Sequence, residues 1–332
     1  MASAAVAPSM DSRDVFFADR PESDVDLGVD LGSLHLSNPV MPASGCFGPK
    51  LASMVPLEEL GAVVTKTVFS AVRSGNPSHR LTEVPHGMLN SVGIPSPGIE
   101  SFRNEVLPRY QAAGVPVIIS VGGLTVEEYW VIAEQLSETK YDALELNVSC
   151  PNLEAGGLEI GTDPHTVERV VSGVVERANV PVFAKLTPTV TSIADVARAV
   201  EAGGAAGATV CNTFPGMAID LKRRAPVLGA TMGGLSGPAI RPLALRLVHL
   251  VASAVHVPVI GCGGICTVAD VAEFLVAGAT AVQVGTANFT RPYVMAQIVR
   301  ELPAELERLG ASKLTELVNS LSPSQSAQSG NH

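Results

Sequence analysis

The chain has 332 residues, 46% of them hydrophobic and only 16% charged, with a formal net charge of -10. That is enough apolar material for one large core or two ordinary ones, and the acidic balance argues against a nucleic-acid binder, which needs basic surface for phosphates. The five cysteines are odd in number and form no CxxC pair, the seven histidines lack ligand spacing, and no run of 18 apolar residues occurs; a disulfide framework, a structural zinc site and a membrane-spanning helix are all disfavoured. Met1–Ser12 is Ala-rich but lacks the basic start and apolar core of a secretory signal, so a soluble cytoplasmic protein is expected.

Residues 1–25 read as a flexible arm. Eight short apolar runs follow: Val40–Ser44, Ala62–Lys66, Pro116–Val121, Ala143–Val148, Val182–Leu186, Ala208–Asn212, Val257–Gly261 and Ala281–Gly285. Most are apolar throughout rather than alternating, as strands buried on both faces should be. Between them, Val126–Glu138, His165–Ala178, Ser192–Ala202, Pro242–Val255 and Thr267–Ala277 carry apolar residues at helical spacing, and two of these stretches stop at Ala-Gly. Eight βα units predict a (β/α)8 barrel over residues 26–310, with a doubly wound sheet as the rival. Phe69–Arg109 and Phe214–Leu235 are long for single connections, and in a barrel both would lie over the C-terminal rim, where active sites are built. Residues 311–332 read as a helix end and a polar tail with little to bury.

Polar residues gather where the predicted strands end. The fourth runs into Asn147-Val148-Ser149-Cys150-Pro151-Asn152. Asn offers both a donor and an acceptor, and a thiolate can take a proton or attack carbon. The hexapeptide therefore suggests a planar polar ligand pinned by amides while sulfur reaches one of its atoms. Gly261-Cys262-Gly263-Gly264 and Gly285-Thr286 end the last two strands, where barrels often bind phosphate, although tight turns would use the same glycines. Lys66 and Lys185 end buried strands. Each could face an anion or snorkel to solvent, and Lys185 could instead form a Schiff base with its pKa lowered by burial. Cys46, Cys262 and Cys266 read as small hydrophobes. Lys222-Arg223-Arg224 reads as a solvated loop.

With Asn90-Ser91-Val92-Gly93-Ile94-Pro95, Thr65-Lys66-Thr67, Ala184-Lys185-Leu186-Thr187-Pro188 and Gly233-Gly234-Leu235-Ser236-Gly237, the hexapeptide resembles dihydroorotate dehydrogenase, in order over about residues 25–310. Cys at position 150 resembles class 1, the soluble enzymes, and residues 156–164 and 222–229 look more like class 1B than 1A. The resemblance implies oxidation of dihydroorotate to orotate in pyrimidine synthesis on FMN. Cys150 would be the base for the C5 proton, and the C6 hydride would go to flavin N5. By matched position, FMN would meet Ser44, Gly45, Lys66, Thr67, Asn147, Lys185, Cys211, Gly237, Gly263, Gly264, Gly285 and Thr286. The pyrimidine would meet Lys66, Asn90, Ser91, Val92, Gly93, Ile94, Asn147, Asn152, Asn212 and Thr213. An iron–sulfur and FAD subunit passing electrons to NAD+ and a homodimer core are also implied. Two departures are Ser120, where class 1B often has Asn, and Cys46, where Thr is common. A dihydropyrimidine dehydrogenase-like flavin enzyme and an aldolase barrel using Lys185 are the alternative functions.

Overall fold

A computed structural model describes residues 23–48, 55–149 and 160–322. Cys150 and Asn152, residues 1–22 of the N-terminal arm and residues 323–332 of the tail lie outside the described residues.

One eight-stranded parallel sheet carries the fold. Its strands are β1 (Val40–Pro42), β2 (Val63–Val64), β3 (Val117–Val121), β4 (Ala143–Asn147), β5 (Val182–Leu186), β6 (Gly207–Val210), β7 (Val259–Cys262) and β8 (Ala281–Val284). They correspond to the eight predicted runs. Their order is β1-β8-β7-β6-β5-β4-β3-β2, the wrap of a (β/α)8 barrel, so the doubly wound alternative falls. Every residue of these strands is buried, because helices cover the outside and layered side chains fill the inside. The last gap, between β1 and β2, is bridged by the Gly61 amide donating to the Val40 carbonyl over 2.9 Å. Gly61 is required there, since a side chain would collide with the carbonyl of Asn38. Asn38 itself donates to the Glu59 carbonyl and accepts from the Val40 amide.

The connecting helices start where local chemistry caps them. Thr125 caps Val126–Leu136, Asp163 caps Pro164–Val175, and Ser192 caps Ile193–Ala202. Thr267 and Asp270 form a reciprocal capping box on Val268–Val276. Helical segments at 99–111 and Val294–Arg308 complete the outer layer. Both escaped the sequence reading, the first because it sits inside the long connection and the second because Pro303 interrupts its interior. A two-stranded hairpin, Val29–Leu31 with Leu34–Leu36, precedes the barrel.

The two long connections after β2 and β6 meet. Leu81–Val84 and Gly87–Asn90 from the first pair with Phe214–Gly216 and Gly233–Ser236 from the second in a four-stranded antiparallel sheet. Residues separated by more than a hundred positions thus form one layer beside the strand ends.

Candidate active site

A cavity of about 350 Å3 opens at the C-terminal ends of the strands, walled on one side by the antiparallel sheet. Its size is that of a small-molecule site. Ser44 and Gly45 reach it after β1, Lys66 and Thr67 after β2, Asn147 from the end of β4, and Lys185 from β5. Cys211, Asn212 and Thr213 enter after β6, Gly263 and Gly264 after β7, and Gly285 and Thr286 after β8. The long connections add Asn90, Val92, Gly93, Ile94 and Gly237. Ser91 is brought near but turned away: it is buried, and its hydroxyl accepts from the Asn76 side-chain amide over 2.8 Å.

The amides at the mouth have fixed orientations. Asn147 Oδ1 accepts from the Ser149 backbone over 3.3 Å and from Asn212 Nδ2 over 3.2 Å. Its own Nδ2 is thereby left as a donor toward the cavity. Asn212 Oδ1 accepts from the Thr213 amide over 2.8 Å. The Asn147 carbonyl is pinned from outside by the hydroxyl of Tyr129 over 2.7 Å. Asn90 donates to the Gly234 carbonyl over 3.3 Å, leaving its oxygen as an acceptor. The Ser149 hydroxyl is buried without a hydrogen-bond partner among the described residues.

Two lysines face this space with opposite character. Burial, helped by the Arg80 guanidinium, lowers the pKa of Lys66 below the ordinary lysine value, and its ammonium has no ion pair among the described residues. That is the condition of a cation awaiting an anion. Lys185 is only 4% exposed. Burial works against its charge, the Glu145 carboxylate reached through Gln283 works for it, and the direction of the balance is upward. A Schiff-base lysine works as the free amine, whereas this ammonium is held by Gln283 Oε1 over 2.6 Å, a setting that does not favour the aldolase alternative.

The cysteines in view are not poised as bases. Burial pushes the Cys46 thiol up to about 11 and raises those of Cys211, Cys262 and Cys266 as well. Ser120 stands behind the cavity wall, fully buried, sharing a 2.9 Å hydrogen bond with the Thr67 hydroxyl and accepting none of the lining role.

The glycine-rich ends test the fit of a phosphate-bearing cofactor. Gly263 and Gly264 have φ of 134° and 80°, and a Cβ on Gly264 would lie 2.7 Å from Cβ and 2.8 Å from the backbone nitrogen of Arg241. The bare backbone after β7 is therefore seated against the start of helix Arg241–Ala252, and both glycines line the cavity. On the neighbouring end, Thr286 donates to the Ser236 hydroxyl over 2.8 Å. Glycine backbone at the cavity rim with Lys185 on the same wall suits the phosphate and ring of FMN.

Sequence reasoning missed two buried polar groups behind Lys185, Glu145 and Gln283. Both lie inside apolar strands, and only the alternation of inward-facing positions hinted that they point into the barrel. It also missed Met88, Ile265 and Phe289, which line the cavity but belong to no quoted motif, and gave no role to Thr187, which lines it from within one.

Comparison with known proteins agrees with this geometry. The family model for dihydroorotate dehydrogenase matches residues 26–306. A protein of Listeria innocua described as dihydroorotate dehydrogenase B (NAD(+)), catalytic subunit, is 46% identical over 298 residues, covering 89% of this chain and 98% of its own. Proteins with the same description from Geobacillus sp. and Bacillus cereus are each 46% identical over 293 residues, covering 87% of this chain and 94% and 95% of theirs. With the match spanning the whole barrel and both long connections, the chain belongs to the dihydroorotate dehydrogenase family, its likeness running to the class 1B catalytic subunits.

Proposed function

We propose that the chain oxidises dihydroorotate to orotate in de novo pyrimidine biosynthesis, with FMN in the cavity at the strand ends. One observation carries the reading: a single cavity joins the glycine ends of β7 and β8, the charged Lys185, the unpaired Lys66 and the oriented amides of Asn90, Asn147 and Asn212. Bound FMN would supply the acceptor, its N5, for the hydride leaving C6.

The chain's own groups supply the rest. Lys66 offers its ammonium to the substrate carboxylate, an attraction strengthened by its half-buried setting. Asn147 donates and Asn90 accepts along the ring edge, so a ring of the wrong polarity leaves a buried group unpaired. Cys150, which follows directly on Ser149, is the base: its thiolate takes the C5 proton as the C5–C6 double bond forms. Lys185 holds positive charge at the cavity wall, where it would stabilise an anionic form of bound FMN. The residues named for FMN are Ser44, Gly45, Lys66, Thr67, Asn147, Lys185, Cys211, Gly237, Gly263, Gly264, Gly285 and Thr286. Val92, Gly93, Ile94, Thr213 and Asn152 complete the substrate set, and Ser91, turned to Asn76, drops out of it.

The description of the relatives as catalytic subunits supports a second chain that carries electrons onward. We take that chain to bear an iron–sulfur cluster and FAD and to reduce NAD+, around a homodimer of the present chain in the cytoplasm. No helix among the described residues is long and apolar enough to cross a membrane, and none of their side chains cluster as a metal site.

The test is spectroscopic. The purified protein, reconstituted with FMN, should show the flavin spectrum and bleach anaerobically with dihydroorotate but not with dihydrouracil. Bleaching by dihydrouracil alone would move the chain to dihydropyrimidine chemistry, and failure to retain any flavin would remove the reading.

A further inference from the structure

Behind Lys185 a polar chain runs through the interior of the barrel. Lys185 Nζ donates to Gln283 Oε1 over 2.6 Å. Gln283 Nε2 donates to Glu145 Oε2 over 2.5 Å, and the Thr209 hydroxyl donates to the same oxygen over 2.9 Å. All four residues are at most 4% exposed. The strand register makes the arrangement: Lys185 lies beside Asn147 and Thr209 on its two neighbours, and Gln283 lies beside Cys262. Glu145 faces inward two residues below Asn147, about 6–7 Å deeper along β4.

The amide of Gln283 has no freedom to flip. Lys185 can only donate, and a carboxylate receiving two donors can only accept, so the amide oxygen must face the lysine and its nitrogen the glutamate. Packing alone does not require a carboxylate at the centre of a barrel. A buried Glu costs free energy unless something pairs with it. Here the second oxygen, Oε1, has no hydrogen-bond partner among the described residues, so its negative charge is answered across the amide by Lys185. The spacer also has a consequence for the cavity. One ammonium hydrogen goes to Gln283. The others remain for a ligand on the cavity side.

We propose that Glu145 and Gln283 are positioning residues that keep Lys185 cationic at the cavity wall, Glu145 by charge and Gln283 by fixing the ammonium and relaying polarity. The part of this that concerns the cofactor rests on the FMN reading above; the coupling between the residues does not. The groups facing Lys185 are Glu145 from β4, Cys46 after β1, Cys211 after β6 and Cys262 from β7. The three thiols are all pushed toward the neutral form, which leaves Glu145 as the counter-charge.

The experiment is a double-mutant cycle on the full chain: wild type, Glu145→Gln, Lys185→Met and the double variant, unfolded in denaturant with no FMN added and again at saturating FMN. Each single variant strands one charge or polar group, so the double variant should be at least tenfold more stable, as an unfolding equilibrium constant, than the two single effects multiplied together predict. Strict additivity overturns the coupling whether or not flavin binds. Gln283→Met, which cuts the relay but leaves both charges, should retain part of the coupling and guards against a variant that fails to fold. The second readout is the pH dependence of the bound-flavin reduction potential. Glu145→Gln should introduce an ionisation below that of wild type, as Lys185 loses its proton earlier. An unchanged profile, with the stability coupling intact, would overturn the cofactor-tuning half of the proposal alone.

Discussion

Asn212 donates its side-chain amide to Oδ1 of Asn147 over 3.2 Å, tying the mouths of β6 and β4 together across β5. That contact decides which way Asn147 faces. With Oδ1 occupied by Asn212 and by the Ser149 amide, Nδ2 is the group presented to a ligand. Asn212→Ala should therefore weaken substrate binding by about 1–3 kcal/mol, the cost of one mis-set buried hydrogen bond. The KM for dihydroorotate should rise roughly five- to 150-fold with flavin content unchanged. Loss of flavin with normal KM would reassign the pair to the cofactor.

Cys150→Ala should retain FMN and nearly abolish dihydroorotate oxidation, with Cys150→Ser slow but measurable. In the wild type the reductive half-reaction should speed up with pH toward the ordinary thiol value of about 8.5. Stopped-flow bleaching across pH 6–10 (roughly) reads both. Near-normal turnover of the Ala variant at neutral pH would remove the thiol from the base role.

Lys66 supplies a second pH effect, in which stability and orotate affinity move in opposite directions. Its pKa is lowered by burial and by Arg80, so its positive charge is lost at a lower pH than for a free lysine. Between the folded and unfolded values the unfolded chain binds more protons, and the stability of the ligand-free protein should rise with pH there. Orotate affinity should fall over the same window, as the ammonium that meets its carboxylate disappears. Titrating orotate by flavin absorbance from neutral to alkaline pH checks this, and Lys66→Met should flatten the dependence.

Glycines at positive φ should separate by what surrounds them. Gly264→Ala meets Arg241 at 2.7–2.8 Å and should cost about 2–4 kcal/mol, combining strain with overlap, and should weaken FMN retention. Gly45→Ala, at φ 80° with nothing within 4 Å of the new Cβ, should cost only about 1–2 kcal/mol. Denaturant unfolding of the two variants side by side distinguishes them, and equal losses would refute the steric argument.

Arg300 clasps Glu59 with two hydrogen bonds of 2.8 and 2.5 Å, both side chains about one-fifth exposed. The pair ties the last helix to the segment before β2, next to the closure of the barrel. Arg300→Met should lower stability by about 1–3 kcal/mol without altering the flavin spectrum. Chemical unfolding at constant FMN measures it.

The barrel was legible in the amino-acid order because each strand is a short, wholly apolar run that only a sheet covered on both faces can bury. The residues of the cavity were legible because polar and glycine residues stand at the ends of those runs, and a parallel barrel gathers all such ends on one rim. Local order could not say that the two long connections pair with each other, since β pairing over such separations leaves no periodic trace. Nor could it say that Ser91 turns to Asn76 or that Ser120 backs Thr67, because those depend on which neighbour arrives first within hydrogen-bond reach. Glu145 and Gln283 look like flaws in apolar strands when read singly. Only closure of the sheet, which sets β4 and β8 facing across a dry interior, turns them into partners of Lys185 and gives their burial a reason.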